Sequence, residues 1–184
     1  LHLLYTRFMT KVFHDWGLVG FDEPFKKFRA HGLLIKDGAK MSKSKGNVVN
    51  PDDYVKKFGA DAFRMYLMFL GPFEHGGDFR DEGIVGIVRF LERVEALTKK
   101  ERGVLVRDAE SILHRSIQKI SKDIENLHYN TAISQLMILF SILEKGGNEA
   151  SFKSFLKVLA PFAPFIAEDI WRELGEKESI HRAS

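Results

Sequence analysis

The chain has 184 residues, 45% of them apolar and 29% charged, with no cysteine and a formal net charge of +3. That length fits one or two domains and buries a core, and the composition does not favour a disordered chain. Disulfides and thiolate metal sites are excluded, no apolar run approaches the ~18 residues of a membrane span, and the slight positive charge permits an RNA partner without arguing for one.

In chain order, residues 1–16 place Leu4, Phe8, Val12 and Trp16 on one stripe, which predicts a helix ending at Gly17. A short helix is expected after Asp22, with Pro24 in its first turn. Gly32-Leu33-Leu34-Ile35-Lys36 reads as a short buried strand, although so brief an apolar run is ambiguous. Asn50 suits an N-cap, Pro51 the first helical position, and Asp52 and Asp53 the positive end of the dipole. Gly59 should stop that helix, and Asp61 should cap the next, which runs to Gly71-Pro72. Residues 71–80, with Gly76-Gly77, read as a loop.

From about residue 81 no strand is expected. A helix over 81–100 carries Ile84, Ile87, Phe90, Leu91, Val94 and Leu97. The next follows Asp108 and shows a bundle seam of Leu113, Ile117, Ile120, Ile124 and Leu127. Further helices are predicted from Asn130 to near Gly146-Gly147, from Asn148 to Pro161, and over 163–174, closing at Gly175. The expected fold is mainly α, with a mixed α/β segment over 1–80 and an all-α bundle over 81–184.

The chemistry concentrates in Lys40-Met41-Ser42-Lys43-Ser44, followed at once by Lys45-Gly46-Asn47 and preceded by the turn dipeptide Asp37-Gly38. Mobile ammonium groups and backbone N–H donors in one loop suit a polyphosphate. A generic run of this composition would be a solvated basic turn. This string has a chance frequency on the order of 10⁻⁴ in a chain this long.

Residues 38–51, Gly-Ala-Lys-Met-Ser-Lys-Ser-Lys-Gly-Asn-Val-Val-Asn-Pro, resemble the signature loop of class I aminoacyl-tRNA synthetases. Leu1-His2-Leu3-Leu4-Tyr5 through Arg7-Phe8, Gly59-Ala60-Asp61-Ala62-Phe63-Arg64, Met68-Phe69-Leu70-Gly71-Pro72, Asp81-Glu82-Gly83 and Arg89-Phe90-Leu91-Glu92-Arg93-Val94 resemble the leucyl-tRNA synthetases. So do Asn130-Thr131-Ala132-Ile133 and the stretch from Leu159 to Asp169. The resemblance covers nearly the whole chain. The family's second signature, His-Ile-Gly-His, is missing, as are a recognisable amino-acid pocket and editing domain. A fragment or one piece of a split enzyme is therefore expected, inactive alone. Valyl, isoleucyl or methionyl relatives are the nearest alternatives, and a non-catalytic helical tRNA-binding module is another.

The resemblance implies residues 1–80 at the C-terminal end of a Rossmann-like catalytic fold and residues 81–184 as an anticodon-binding bundle. It implies a cytoplasmic ligase that joins leucine to ATP, with Mg²⁺ held by the phosphates, and transfers leucine to tRNA(Leu). Lys43 would contact the departing pyrophosphate and Lys40 would assist. Ser42 and Ser44 would donate to phosphate oxygens or close local turns, Gly38 and Gly46 would act as hinges, Asn47 would pin the loop base, and Met41 would pack into its apolar floor. Backbone groups of Gly32 and Leu33 would meet adenine. Arg89, Arg93, Lys99, Lys100, Arg102, Lys119 and Lys122 would meet tRNA phosphates, against the bland reading of a solvated helix face. Asn130 suits a helix cap better than an RNA contact. Asp52 and Asp53 suit dipole compensation better than acid–base work. Arg64 reads as a structural ion-pair partner. The seven histidines show no convergent metal spacing, and only His2 and His31 lie near the implied site.

Overall fold

The computed structural model describes residues 2–99 and 109–183. Lys100, Arg102 and Asp108 lie outside the described residues. The chain forms two compact units, Leu1–Ala30 and His31–Ser184.

The first unit is built on helix α1 (His2–Asp15). Most of its expected stripe is laid bare: Leu4 is 66% exposed, Phe8 62% and Trp16, just past the helix end, 69%, while Val12 is half-buried. The guanidinium of Arg7 forks onto the Glu23 carboxylate, its Nε at 2.8 Å from Oε2, and Lys11 adds a contact at 3.3 Å. The helix expected after Asp22 is absent, and residues 21–30 run as irregular chain. A segment this short nucleates a helix poorly, and Phe25 and Phe28 stay exposed with nothing buried to reward one.

In the second unit, strand β1 (Leu33–Lys36) turns through Asp37-Gly38 into β2 (Ala39–Lys40), pairing antiparallel. Both turn residues have positive φ, 51° at Asp37 and 76° at Gly38, as a tight hairpin of this hand requires. A third strand, β3 (Gly76–Phe79), lies parallel to β1, giving the order β2-β1-β3. This corrects the expectation of a loop over 71–80. The glycines that suggested a loop mark a close backbone approach. A Cβ on Gly32 would stand 1.9 Å from the Gly76 nitrogen, and one on Gly76 would stand 2.1 Å from the Leu33 oxygen.

Between β2 and β3 lie α2 (Pro51–Phe58) and α3 (Ala60–Phe69). Asn50 caps α2 through the Asp52 N–H, with Pro51 in the first turn. Phe79 is fully buried and meets Tyr54 of α2 at 5.0 Å and Tyr66 of α3 at 5.2 Å, both edge-on. One aromatic at the end of β3 thus joins the sheet to both helices. Removing such a ring typically costs about 3–5 kcal/mol.

The remaining elements are α4 (Gly83–Thr98), α5 (Ala109–Glu125), α6 (Tyr129–Gly146), α7 (Glu149–Leu159) and α8 (Pro164–Glu173). Along the α5 seam Leu113 and Ile120 are buried, and Ile117 and Ile124 pack against the core. The bundle interior is aromatic: Phe140 meets Phe90 at 5.5 Å and Phe155 at 5.6 Å. Asn148 caps α7 through the Ser151 N–H, as its position predicts. Asn130 does not cap α6. His128 holds the N-cap position without a side-chain bond, and Asn130 lies inside the helix.

Asp61 corrects another expectation. It makes no cap bond to its own helix α3. Its carboxylate accepts from the N–H groups of Phe165, at 3.4 Å, and Ile166, at 2.7 Å, at the start of α8. Burial raises its pKa, although the two N–H donors favour the charged form. Arg64, one turn later, donates to the Pro161 carbonyl at 3.2 Å and forms no ion pair among the described residues. The stretch 59–64 therefore grips 161–166.

Replacing Asp61 by Ala should destabilise the fold by about 1–2 kcal/mol, as loss of a buried cap does, while Asn costs less; urea unfolding of this chain measures both. The Glu23 carboxyl is held down to about 2 from 4.5, chiefly by the hydrogen bond from Arg7. A depressed acid stabilises above its unfolded pKa, so the Arg7 link should be intact above about pH 4.5 and lost as pH falls towards 2. Carboxyl carbon shifts of Glu23 across that window report it directly.

Candidate functional site

The lysine loop leaves β2 and returns at Asn50. Its residues 43–45 form one 3₁₀ turn, closed by Gly46 at φ 65°. The amide of Asn47 stitches it shut: Oδ1 accepts the Ser42 N–H at 2.8 Å, and Nδ2 donates to the Lys40 carbonyl at 3.2 Å. The hydroxyls of Ser42 and Ser44 bond each other at 2.8 Å, so they close the loop locally. Met41 and Val49 pack against the core at the two ends of the loop. Lys40, Lys43 and Lys45 are exposed and form no ion pair among the described residues. The arrangement is a small, internally bonded loop with three ammonium groups directed to solvent, seated on an apolar floor.

Below the loop lies a charged brace. Lys36 on β1 stands 3.5 Å from the Asp81 carboxylate, which also accepts from the Tyr54 hydroxyl. Burial works against the Lys36 ammonium, but Tyr54 and Asp81 outweigh it and raise its pKa. The hydrogen bond from Tyr54 holds the Asp81 carboxyl down. Beside it Asp78 Oδ1 accepts the Gly38 N–H at 3.0 Å, and that bond chiefly depresses the Asp78 pKa. Sequence reasoning missed Lys36, Tyr54, Asp78 and Asp81. They come together only through the parallel pairing of β3 with β1, and no local motif announces that pairing.

The other expected residues divide clearly. The Gly32 N–H is already bonded to the Phe73 carbonyl at 2.8 Å, and its carbonyl faces Nδ1 of His31 at 2.9 Å. Leu33 is 57% exposed. Arg93 is engaged with Glu144 at 2.6 Å and Lys119 with Asp123 at 2.8 Å. Arg89 and Lys122 are exposed and free of ion pairs among the described residues. Among those residues no group of three or more histidines and carboxylates is placed to hold a metal ion. No helix there is long and apolar enough to cross a membrane.

Comparison with known proteins shows which family the chain resembles. The family described as tRNA synthetases class I (I, L, M and V) matches residues 5–76, and the anticodon-binding domain of tRNA ligase matches residues 148–184. The leucine–tRNA ligase of Dehalococcoides mccartyi is 43% identical over 196 residues, spanning 98% of this chain and 24% of that protein. That of Petrotoga mobilis is 40% identical over 212 residues, spanning all of this chain and 26% of that protein. The LeuRS of Agrobacterium radiobacter K84, solved in a ternary complex with tRNA and LeuAMS, superposes with a TM-score of 0.82 at 34% identity, covering 98% of this chain and 27% of that one. Mycobacterium tuberculosis methionyl-tRNA synthetase shares the fold, with a TM-score of 0.61 at 20% identity over 80% of this chain and 38% of that one. The chain spans about a quarter of the leucine enzymes it matches. It belongs to the leucyl-tRNA synthetase family, of which it carries the class I segment with its lysine loop and the anticodon-binding helical domain.

Proposed function

We propose that this segment acts within a leucine–tRNA ligase, closing the lysine loop over ATP while leucine is activated and holding tRNA(Leu) on its helical bundle. Functionally, residues 1–80 serve the catalytic domain and residues 81–184 the RNA. The observation that carries the reading is the loop itself, with three exposed ammonium groups, unpaired among the described residues, on a closed turn.

In the reaction the leucine carboxylate attacks the α-phosphorus of ATP, the bond to the bridging oxygen breaks, and pyrophosphate leaves with the electron pair. Negative charge grows on the leaving group. Cations placed there stabilise the transition state more than bound ATP, and so raise the rate rather than affinity alone. Lys43 is assigned to the leaving phosphates and Lys40 to support at the loop entrance. Ser42 and Ser44 exchange their mutual bond for phosphate oxygens when ATP arrives. Magnesium enters with ATP, held mainly by its phosphates. Gly32 and Leu33 face adenine from the start of β1. With its N–H spent on Phe73, Gly32 has only the free lone pair of its carbonyl to offer.

The bare apolar stripe of α1 supports the segment's dependence on the rest of the enzyme. Leu4, Phe8 and Trp16 form a face that the remainder of the catalytic domain would bury. Alone, the chain is expected to lack leucine-dependent exchange. On the bundle, Arg89 and Lys122 are the candidates for tRNA phosphates, since contact by Arg93 or Lys119 would first break an ion pair. Asn130, freed from capping, can also reach RNA.

In the full-length synthetase carrying this segment, Lys43→Ala should slow leucyl-adenylate formation by roughly 10²–10³ with little change in leucine affinity, and Lys40→Ala should slow it less. Rapid-quench measurement of pyrophosphate release tests this; a near-normal forward rate for Lys43→Ala overturns the assignment. Affinity of this chain for tRNA should fall steeply as salt rises, because lysine and arginine contacts release counterions. Filter binding that stays flat from low to moderate salt contradicts it.

A further inference from the structure

Asp78-Phe79-Arg80-Asp81 touches both roots of the lysine loop. On the incoming side, Asp78 Oδ1 accepts the Gly38 N–H at 3.0 Å, and the Phe79 carbonyl accepts the Asp37 N–H at 3.3 Å. Lys36, two residues before Gly38, reaches Asp81 at 3.5 Å. On the outgoing side, Tyr54 of α2 donates its hydroxyl to the same Asp81 carboxylate.

The segment is itself immobilised. Phe79 is fully buried. The Tyr66 hydroxyl brackets the backbone of Arg80, donating to its carbonyl at 2.7 Å and accepting its N–H at 3.1 Å. The Arg80 side chain returns to Asp78 Oδ2 at 3.0 Å. The bonds inside the loop, by contrast, fix only its own shape. Position relative to the fold comes from the four residues beneath, together with the packing of Met41 and Val49 against the core.

We propose that Asp78 and Asp81 are positioning residues for adenylate formation: they form a rigid mount that sets where the lysine loop can place its ammonium groups. This rests on the loop acting at the phosphates of ATP, as proposed above. Neither carboxylate touches substrate. Each acts through a root of the loop, Asp78 through the turn and Asp81 through β1 and α2 together. Such displacement is costly, because stabilisation of a developing charge depends on donors placed to within a fraction of an ångström.

The test uses the full-length synthetase with Asp78→Ala, Asp78→Asn and Asp81→Ala, with Lys43→Ala as reference. Asp78→Ala and Asp81→Ala should each lower kcat for adenylate formation about tenfold, leaving the leucine KM and the transfer of leucine from preformed adenylate to tRNA unchanged. Asp78→Asn keeps an oxygen acceptor for the Gly38 N–H and should restore most of the rate. In this chain alone, Asp78→Ala should speed amide hydrogen exchange over residues 37–47 while α6 and α7 stay protected. That readout also holds if an assembled variant proves unstable. Adenylate formation within twofold of wild type in Asp78→Ala, a loss that Asn does not restore, or an equal loss in the transfer step would each overturn the proposal. If Lys43→Ala is slow while Asp78→Ala is normal, the mount alone falls. If Lys43→Ala is itself normal, the loop reading falls and the mount with it.

Discussion

The parallel pairing of Leu33–Lys36 with Gly76–Phe79 is the constraint on which this molecule is arranged. It joins two stretches of chain separated by the loop and two helices. Once the strands lie side by side, Phe79 is driven between α2 and α3, and the carboxylates on either side of it arrive beneath the hairpin. Hydrophobic burial fixes the strand end, and charge and backbone bonding then attach the loop to it. The order matters physically, since exposed charges contribute little unless a buried neighbour has already fixed their geometry.

The loop itself combines closure and exposure. Asn47 satisfies groups at both ends, and the 3₁₀ turn needs no outside partner. Among the described residues the lysines are left without counter-ions, a costly arrangement only if they were buried. On the surface they remain hydrated and available. Carboxylates are thus withheld from the three lysines and concentrated below, where Asp78 and Asp81 hold the base of the loop.

Much of this was legible in the chain. Asn50-Pro51 and Asn148 announced their helices because capping is local chemistry, written within four residues. The apolar spacing of Ile84 through Leu97 announced α4 for the same reason. The loop was legible as a motif, down to the amide of Asn47. The larger failures were non-local. Asp61 looked like a cap for the helix it opens, yet it serves α8, 104 residues away. Gly76-Gly77 looked like a loop because glycine disfavours strands in general, whereas here the missing side chains let two backbones meet. Asn130 has a capping residue's chemistry, but the chain enters α6 earlier, after Leu127 with its φ of 62°.

The grip of Asp61 and Arg64 on residues 161–166 bears on how this polypeptide can be divided. A cut near residue 80 would strand a carboxylate in an apolar setting without its two donors. It would also leave the first turn of α8 with open N–H groups and no counter-charge at its positive end. Neither half would be a finished object. Residues 31–80 and the helices that follow should therefore melt in a single cooperative transition, and evolution could not readily have exchanged one without carrying the other along.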